Sequence, residues 1–114
     1  MFYLTRETVC ERLKVSLWAS YRLVPATDIA RIPSDRVIDV INKARRSRQE
    51  ELDFIPSDIV TPEEAEAVTG IPARSLLTWT RRAVKSPPHY RLNKQTTRFR
   101  LSSLEEWLER RTRG

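Results

Sequence analysis

The chain repeats itself, and that limits what it can fold into. TRETVCERLKVSLWASYRL, from Thr5 to Leu23, aligns without a gap with TPEEAEAVTGIPARSLLTW, from Thr61 to Trp79, at a constant offset of 56. Thr5 matches Thr61, Glu7 matches Glu63, Val9 matches Ala65, Leu13 matches Thr69, Val15 matches Ile71 and Leu23 matches Trp79. Further on, RIPSDRVIDVI from Arg31 matches RFRLSSLEEWL from Arg98 at an offset of 67, which pairs Val37 with Leu104 and Ile41 with Leu108. A repeat of about 55 residues predicts two small units, residues 1–54 and 58–114, in place of one core built by all 114 residues. The offset grows by 11 residues, so the first unit has a much shorter connection, Val24 to Ile32.

Each unit carries the same local signals. Thr61 is placed to cap a helix, Pro62 suits the first helical position, and Glu64 completes a capping box three residues on. Ala65 and Val68 form a small apolar face. Gly70 ends that helix, Pro72 opens a second, and Ile71, Leu76 and Trp79 supply the buried side of the second helix. Short helix, tight turn, second helix is helix-turn-helix grammar, which an ordinary helical hairpin shares. Pro87 and Pro88 stop the second helix. HYRLN and TRFRL alternate, which predicts a hairpin around Lys94, Gln95 and Thr96. Its expected inner face holds Tyr90, Leu92, Phe99 and Leu101, and its outer face His89, Arg91, Arg98 and Arg100. A closing helix is expected from Ser102 or Ser103, with a serine cap and Leu104, Trp107 and Leu108 on one side. The fold class is therefore mainly α with a small β wing.

Charge is distributed unevenly. From Ala67 to Leu104 no residue is acidic, while eight are Lys or Arg: Arg74, Arg81, Arg82, Lys85, Arg91, Lys94, Arg98 and Arg100. The whole chain is 32% charged, so an even scatter would leave several carboxylates in that window. A surface without them suits a polyanion, because a carboxylate repels phosphate at short range. A solvated charge run has the same composition; what separates the two is its placement on the helix-turn-helix and the hairpin.

LTRETVCERLKVS…YRLV and TPEEAEAVTGIPARSLLTW…RFRLSSLEEWL both resemble the small winged helix-turn-helix proteins of the excisionase and MerR-like superfamily. The resemblance covers nearly the whole chain, in two copies, and implies a tandem winged helix-turn-helix. In that family the helix after the turn enters the major groove, and the wing touches adjacent backbone or minor groove. Its members include excisionases of phages and integrative elements, which bend DNA to direct a recombinase, and small transcription regulators; terminase small subunits carry related domains. The chain departs from the simplest pattern in having two modules. It also shows no long coiled-coil helix or effector domain of the full MerR regulators, which argues against a ligand-sensing activator.

The resemblance and the charge pattern together nominate DNA-binding residues. Arg74 and Thr78 are the base-reading candidates, since arginine reads guanine through two hydrogen bonds. Arg81, Arg82, Lys85, Arg91, Lys94, Arg98 and Arg100 are expected at phosphates. In the first unit the matching helix reads SLWASYRLV. Ser16, Tyr21 and Arg22 are candidate DNA contacts, while Leu17 and Trp18 either touch thymine methyls or sugar, or form a protein interface. Residues 1–57 carry 10 basic and 8 acidic groups, residues 58–114 carry 11 and 7, so the second unit is the stronger polyanion binder. Arg45, Arg46 and Arg48 are expected to extend the closing helix of the first unit as a solvated end, or else to contact DNA backbone between the two sites. Phe54, Ile55 and Pro56 read as a short ordered tether.

Catalysis finds no support. His89 is the one histidine, expected on the exposed face of the wing. Cys10 is the one cysteine, expected as a buried thiol, so neither an internal disulfide nor a cysteine zinc site is available. No Gly-rich phosphate loop, carboxylate metal cluster, signal peptide or apolar run near membrane length is present, and neither cofactor nor metal is expected. The expected protein is cytoplasmic, in a prokaryote or its phage, and acts on double-stranded DNA, with a recombinase or further copies of itself as partners. The competing class is a protein-interaction adapter such as a terminase small subunit, with Leu17 and Trp18 as its main site.

Overall fold

Thr5 and Thr61 do the same work 56 residues apart, and the structure follows from them. In the computed structural model, which describes residues 2–25, 31–47, 49–82 and 85–113, a two-residue strand leads into each capped helix. The first half runs β1 (Tyr3–Leu4), α1 (Arg6–Leu13), α2 (Leu17–Leu23), β2 (Ile32–Pro33), α3 (Ser34–Ala44) and β3 (Arg45–Arg46). The second runs β4 (Ile59–Val60), α4 (Pro62–Thr69), α5 (Ala73–Thr80), β5 (His89–Asn93), β6 (Thr96–Arg100) and α6 (Leu101–Arg113). About half of the chain is helical, in six helices among the described residues, and the strands form small antiparallel sheets.

The repeat holds down to individual hydrogen bonds. Thr5 Oγ1 accepts from the Thr8 N–H at 3.2 Å; Thr61 Oγ1 accepts from the Glu64 N–H at 3.1 Å. At Thr61 the Glu64 carboxylate also accepts from the Thr61 N–H at 3.0 Å, completing the capping box. Each first helix ends on a left-handed residue, Lys14 (φ 57°) and Gly70 (φ 77°). Glycine takes that conformation without strain, whereas at Lys14 a Cβ must be accommodated. Register matches too: Tyr3 pairs with Pro33 as Ile59 pairs with Arg100, and Leu4 with Ile32 as Val60 with Phe99. The closing helices start alike, with the Ser34 N–H donating to Phe2 O at 2.7 Å and the Leu101 N–H to Asp58 O at 2.9 Å.

The closing helix of the second half starts at Leu101, one turn-position before the expected serine cap. The Asp58 carboxylate, not a serine, satisfies its first turn: Oδ2 accepts from the Ser102 N–H at 3.0 Å and Oδ1 from Arg100 Nε at 3.3 Å. Burial raises the Asp58 pKa, but the Ser102 hydrogen bonds and the Arg100 guanidinium outweigh it and hold the carboxyl below its ordinary value. Two apolar expectations also change. Val68 is exposed, and Cys10 is only half-buried with a free thiol.

The larger correction concerns the hairpin. Opposite residues in an antiparallel ladder share a face, and here Tyr90 lies opposite Arg98 and Arg91 opposite Thr97, with an irregularity between Arg91 and Asn93. Tyr90 and Phe99 therefore point to opposite faces. One face carries Tyr90 and Arg98, and Ile59 through its pairing with Arg100; the other carries Phe99, Val60 and His89. No face of this ribbon is simply aromatic or simply basic.

Both faces are used. The sheet order is β3-β5-β6-β4, so Arg45 and Arg46 form an edge strand on β5 instead of extending α3. Tyr90, Ile59 and Ile55 join Val9, Leu13, Val24, Ile32, Val37, Ile41 and Ala44 in one hydrophobic cluster. Phe99 joins Ala65, Leu76 and Leu104 in another, with Trp79 and Trp107 packed on it. Arg48 and residues 26–30, which make up much of the short first connection, lie outside the described residues.

Arg98 locks the halves together. Its Nε donates to Leu13 O at 3.0 Å and Lys14 O at 3.2 Å, and Nη2 also donates to Lys14 O. These carbonyls close α1, where a cation complements the helix dipole. Lys14 in turn pairs with Glu64 at 3.5 Å, and Arg12 donates to Ile55 O at 3.3 Å. Arg98→Ala is expected to lower the unfolding free energy by about 2 kcal/mol, the scale of hydrogen bonds made by a charged group. Urea denaturation of the two proteins checks this; equal stability would show that the α1 carbonyls find other donors.

Candidate nucleic-acid interface

The turn at Gly70 aims α5 outward. The Gly70 N–H donates to Glu66 O at 2.8 Å, ending α4, and the Glu66 carboxylate accepts from the Ala73 N–H at 2.7 Å, capping α5. Leu76 is buried beneath the helix and Trp79 packs on Trp107 with ring centroids 6.0 Å apart. That side being taken, Arg74, Thr78 and Arg81 fall on the opposite side at spacings of four and three, and all three are exposed. They form a stripe about 10 Å long at about 1.5 Å per residue. Thr78 Oγ1 donates to Arg74 O at 2.9 Å, which turns its remaining acceptor capacity outward.

Past α5 the stripe meets a basic groove of about 850 Å³. Arg81, Arg82 and Lys85 line it from the end of α5 and the loop beyond, Arg91 from β5 and Arg46 from β3. Among its described lining residues none is acidic. The Arg46 guanidinium is held by Lys43 O at 3.2 Å and Arg45 O at 2.7 Å. Gln49 Nε2 donates to Arg46 O at 2.9 Å and His89 O at 2.7 Å, tying β3 to β5. Trp107 lines the groove from α6, and Arg111 stacks over both Trp79 (4.3 Å) and Trp107 (5.3 Å). Arg82 lies 5.8 Å from the Trp79 ring.

His89, expected on an exposed face, lies in this groove at only 3% exposure. The register that turns Phe99 toward the second core takes His89 with it. Nδ1 lies 2.8 Å from Pro87 O, a carbonyl that can only accept, so Nδ1 carries the proton. Burial lowers the His89 pKa below its ordinary value; the Pro87 hydrogen bond opposes this, and Arg46 and Arg91 add to the lowering.

The hairpin cations divide. Lys94 is exposed at the hairpin tip, where its carbonyl accepts from Arg91 Nη2 at 3.2 Å. Arg98 and Arg100 turn the other way, Arg98 to the end of α1 and Arg100 to Asp58, with its guanidinium 5.1 Å from the Phe54 ring centre. In the first half Ser16 Oγ caps α2 by accepting from the Ala19 N–H at 3.2 Å, and the Tyr21 ring carries the buried Arg6 guanidinium at 4.2 Å. Arg22 is exposed, as are Leu17 and Trp18, the latter at 81%. By the repeat, Trp18 stands where the second half has Arg74. Compared with known proteins, the chain matches no family model, no curated protein and no solved structure.

Ser47, Thr80, Ser86, His89 and Trp107 line the groove without having been nominated as DNA contacts by the sequence pattern. Arg46 belongs to the cluster considered as a backbone contact, but only the pairing of β3 with β5 carries it to the groove.

Two outcomes follow. A histidine whose pKa is lowered by folding binds its proton more readily when unfolded, so stability is full above about pH 6.5 and falls as pH drops from there toward the folded-state pKa. Urea midpoints at pH 7.5 and 5.5 are expected to differ in that sense, and His89→Gln to remove the difference. Trp18→Ala is expected to change stability by no more than about 0.5 kcal/mol, as for an ordinary surface substitution. A loss of about 3–5 kcal/mol would mark Trp18 as core.

Proposed function

We propose that this is a sequence-specific double-stranded DNA-binding protein built as a tandem winged helix-turn-helix, serving as an excisionase-type directionality factor or small transcription regulator of a phage or mobile element in the cytoplasm of its host. The outward stripe of Arg74, Thr78 and Arg81 carries the reading. An α-helix about 10–12 Å across fits a major groove about 12 Å wide, and its exposed Arg and Thr meet base edges there. Arg81, Arg82, Lys85, Arg91 and Lys94 then supply phosphate contacts. Arg98 and Arg100 are left out of this set, because they lie on the other face of the ribbon from Arg91 and reach the end of α1 and Asp58.

The exposure of Trp18 favours a second role for the first half. An exposed indole in place of Arg74, beside the exposed Leu17, suits contact with a protein on the same DNA, a recombinase or another copy, better than base reading. The pure adapter reading rests on the exposed pair Leu17 and Trp18.

Binding to a randomised duplex library, followed by footprinting on DNA flanking the gene, tests the proposal. Five phosphate contacts predict a log K against log salt slope of roughly −4 to −5. Arg74→Ala is expected to cost about 1–3 kcal/mol on the selected site and to relax preference at one base pair, while Arg98→Ala leaves the slope unchanged. No duplex binding at low salt would end the proposal. A footprint at an attachment site would identify an excisionase, and one at a promoter a regulator.

A further inference from the structure

We propose that the groove between β3, β5, α6 and the end of α5 is an oxyanion site for a backbone phosphodiester, and that filling it places a proton on His89, so that binding tightens as pH falls. The identity of the anion as nucleic-acid backbone rests on the DNA-binding reading; the site itself rests on its own geometry.

Five cations converge on one groove without a carboxylate among the described lining residues. They come from separate parts of the chain: Arg46 from β3, Arg91 from β5, Arg81 and Arg82 at the end of α5, and Lys85 from the loop after it. Trp107 is the lining residue contributed by α6, and it carries no charge. Like charges gathered in this way repel one another, and an anion removes that repulsion. The arrangement is held in place. Gln49 ties β3 to β5, and Ser47 and Ser86 are hydrogen-bonded across the groove wall.

His89 makes the site proton-linked. With Nδ1–H committed to Pro87 O, Nε2 is the atom whose protonation changes. In the neutral ring Nε2 is an acceptor and offers nothing to phosphate; protonated, it becomes a donor. Arg46 and Arg91 oppose that proton. An anion between them offsets their field, and the ring gains its proton as the anion binds. By linkage, a proton taken up on binding means tighter binding at lower pH.

His89 is the chain's one histidine, so its imidazole NMR signals can be followed without ambiguity. Sulfate is the first probe, because its own charge is constant between pH 5 and 8. Adding sulfate to the full chain, against chloride at matched ionic strength, is expected to raise the His89 titration midpoint by about one pH unit, equivalent to about tenfold tighter anion binding at the acid end. Arg46→Gln is expected to abolish that response. No rise, or the same rise in Arg46→Gln, overturns the site. The second probe is a random-sequence DNA duplex: its affinity is expected to increase from pH 7.5 to 5.5 with the unaltered chain and to stay flat with His89→Gln. Equal pH dependence in both overturns the proton linkage. A chain that binds no duplex at any pH yet keeps the sulfate response removes the duplex reading and leaves the oxyanion groove standing.

Discussion

The pairing of Tyr90 with Arg98 governs most of this structure. Side chains alternate along a strand, so a hairpin slipped by one residue would exchange every inward and outward group on one of its strands. In the observed register the ribbon is a partition wall. Tyr90 enters one hydrophobic cluster and Phe99 the other, and each cluster is completed by helices of a different half. Neither face remains free to act as a wholly basic wing.

That geometry decides the work of the arginines. Arg98 shares its face with Tyr90 and reaches the carbonyls that close α1; Arg100 meets Asp58 at the start of α6. Arg91 lies on the face of His89 and joins Arg46 in the groove. The arginines of one twelve-residue hairpin, His89 to Arg100, thus divide between joining the halves and lining the basic groove. The division is one of charge: Arg100 meets the Asp58 carboxylate, while the guanidinium groups of the groove have only carbonyls and one another among the described lining residues.

The two halves also differ where they face solvent. Their backbones correspond in cap, left-handed turn and strand register, yet Trp18 replaces Arg74 on the exposed side of the second helix. The buried side differs as well. Ser20 stands where Leu76 fills the second core, and the buried Arg6 of the first half donates from Nη1 to Ser20 O and Val24 O at the end of α2. A repeated backbone therefore carries two unlike surfaces.

Local chemistry made much of the fold legible in the sequence alone. Thr61, Pro62 and Glu64 specify a helix start through bonds within four residues, Gly70 supplies its left-handed end, and the constant offset carries the same reading back to Thr5. The exposure of Arg74, Thr78, Leu17 and Trp18 follows from the same helical spacing. What lay beyond the sequence was every question of which distant segment meets which. Alternation along HYRLN and TRFRL is compatible with either register, and nothing local distinguishes Phe99 beside Tyr90 from Phe99 behind it. Arg45 and Arg46 read as a helix end until β5 offers them an open edge, and Asp58 reads as linker until α6 starts beside it. The sequence by itself determined the helix-turn-helix pairs and the threonine caps at Thr5 and Thr61, because those depend on near neighbours. The tertiary structure alone decided the hairpin's faces, the burial of His89 and the assembly of the groove, because these depend on the packing of two cores against one sheet.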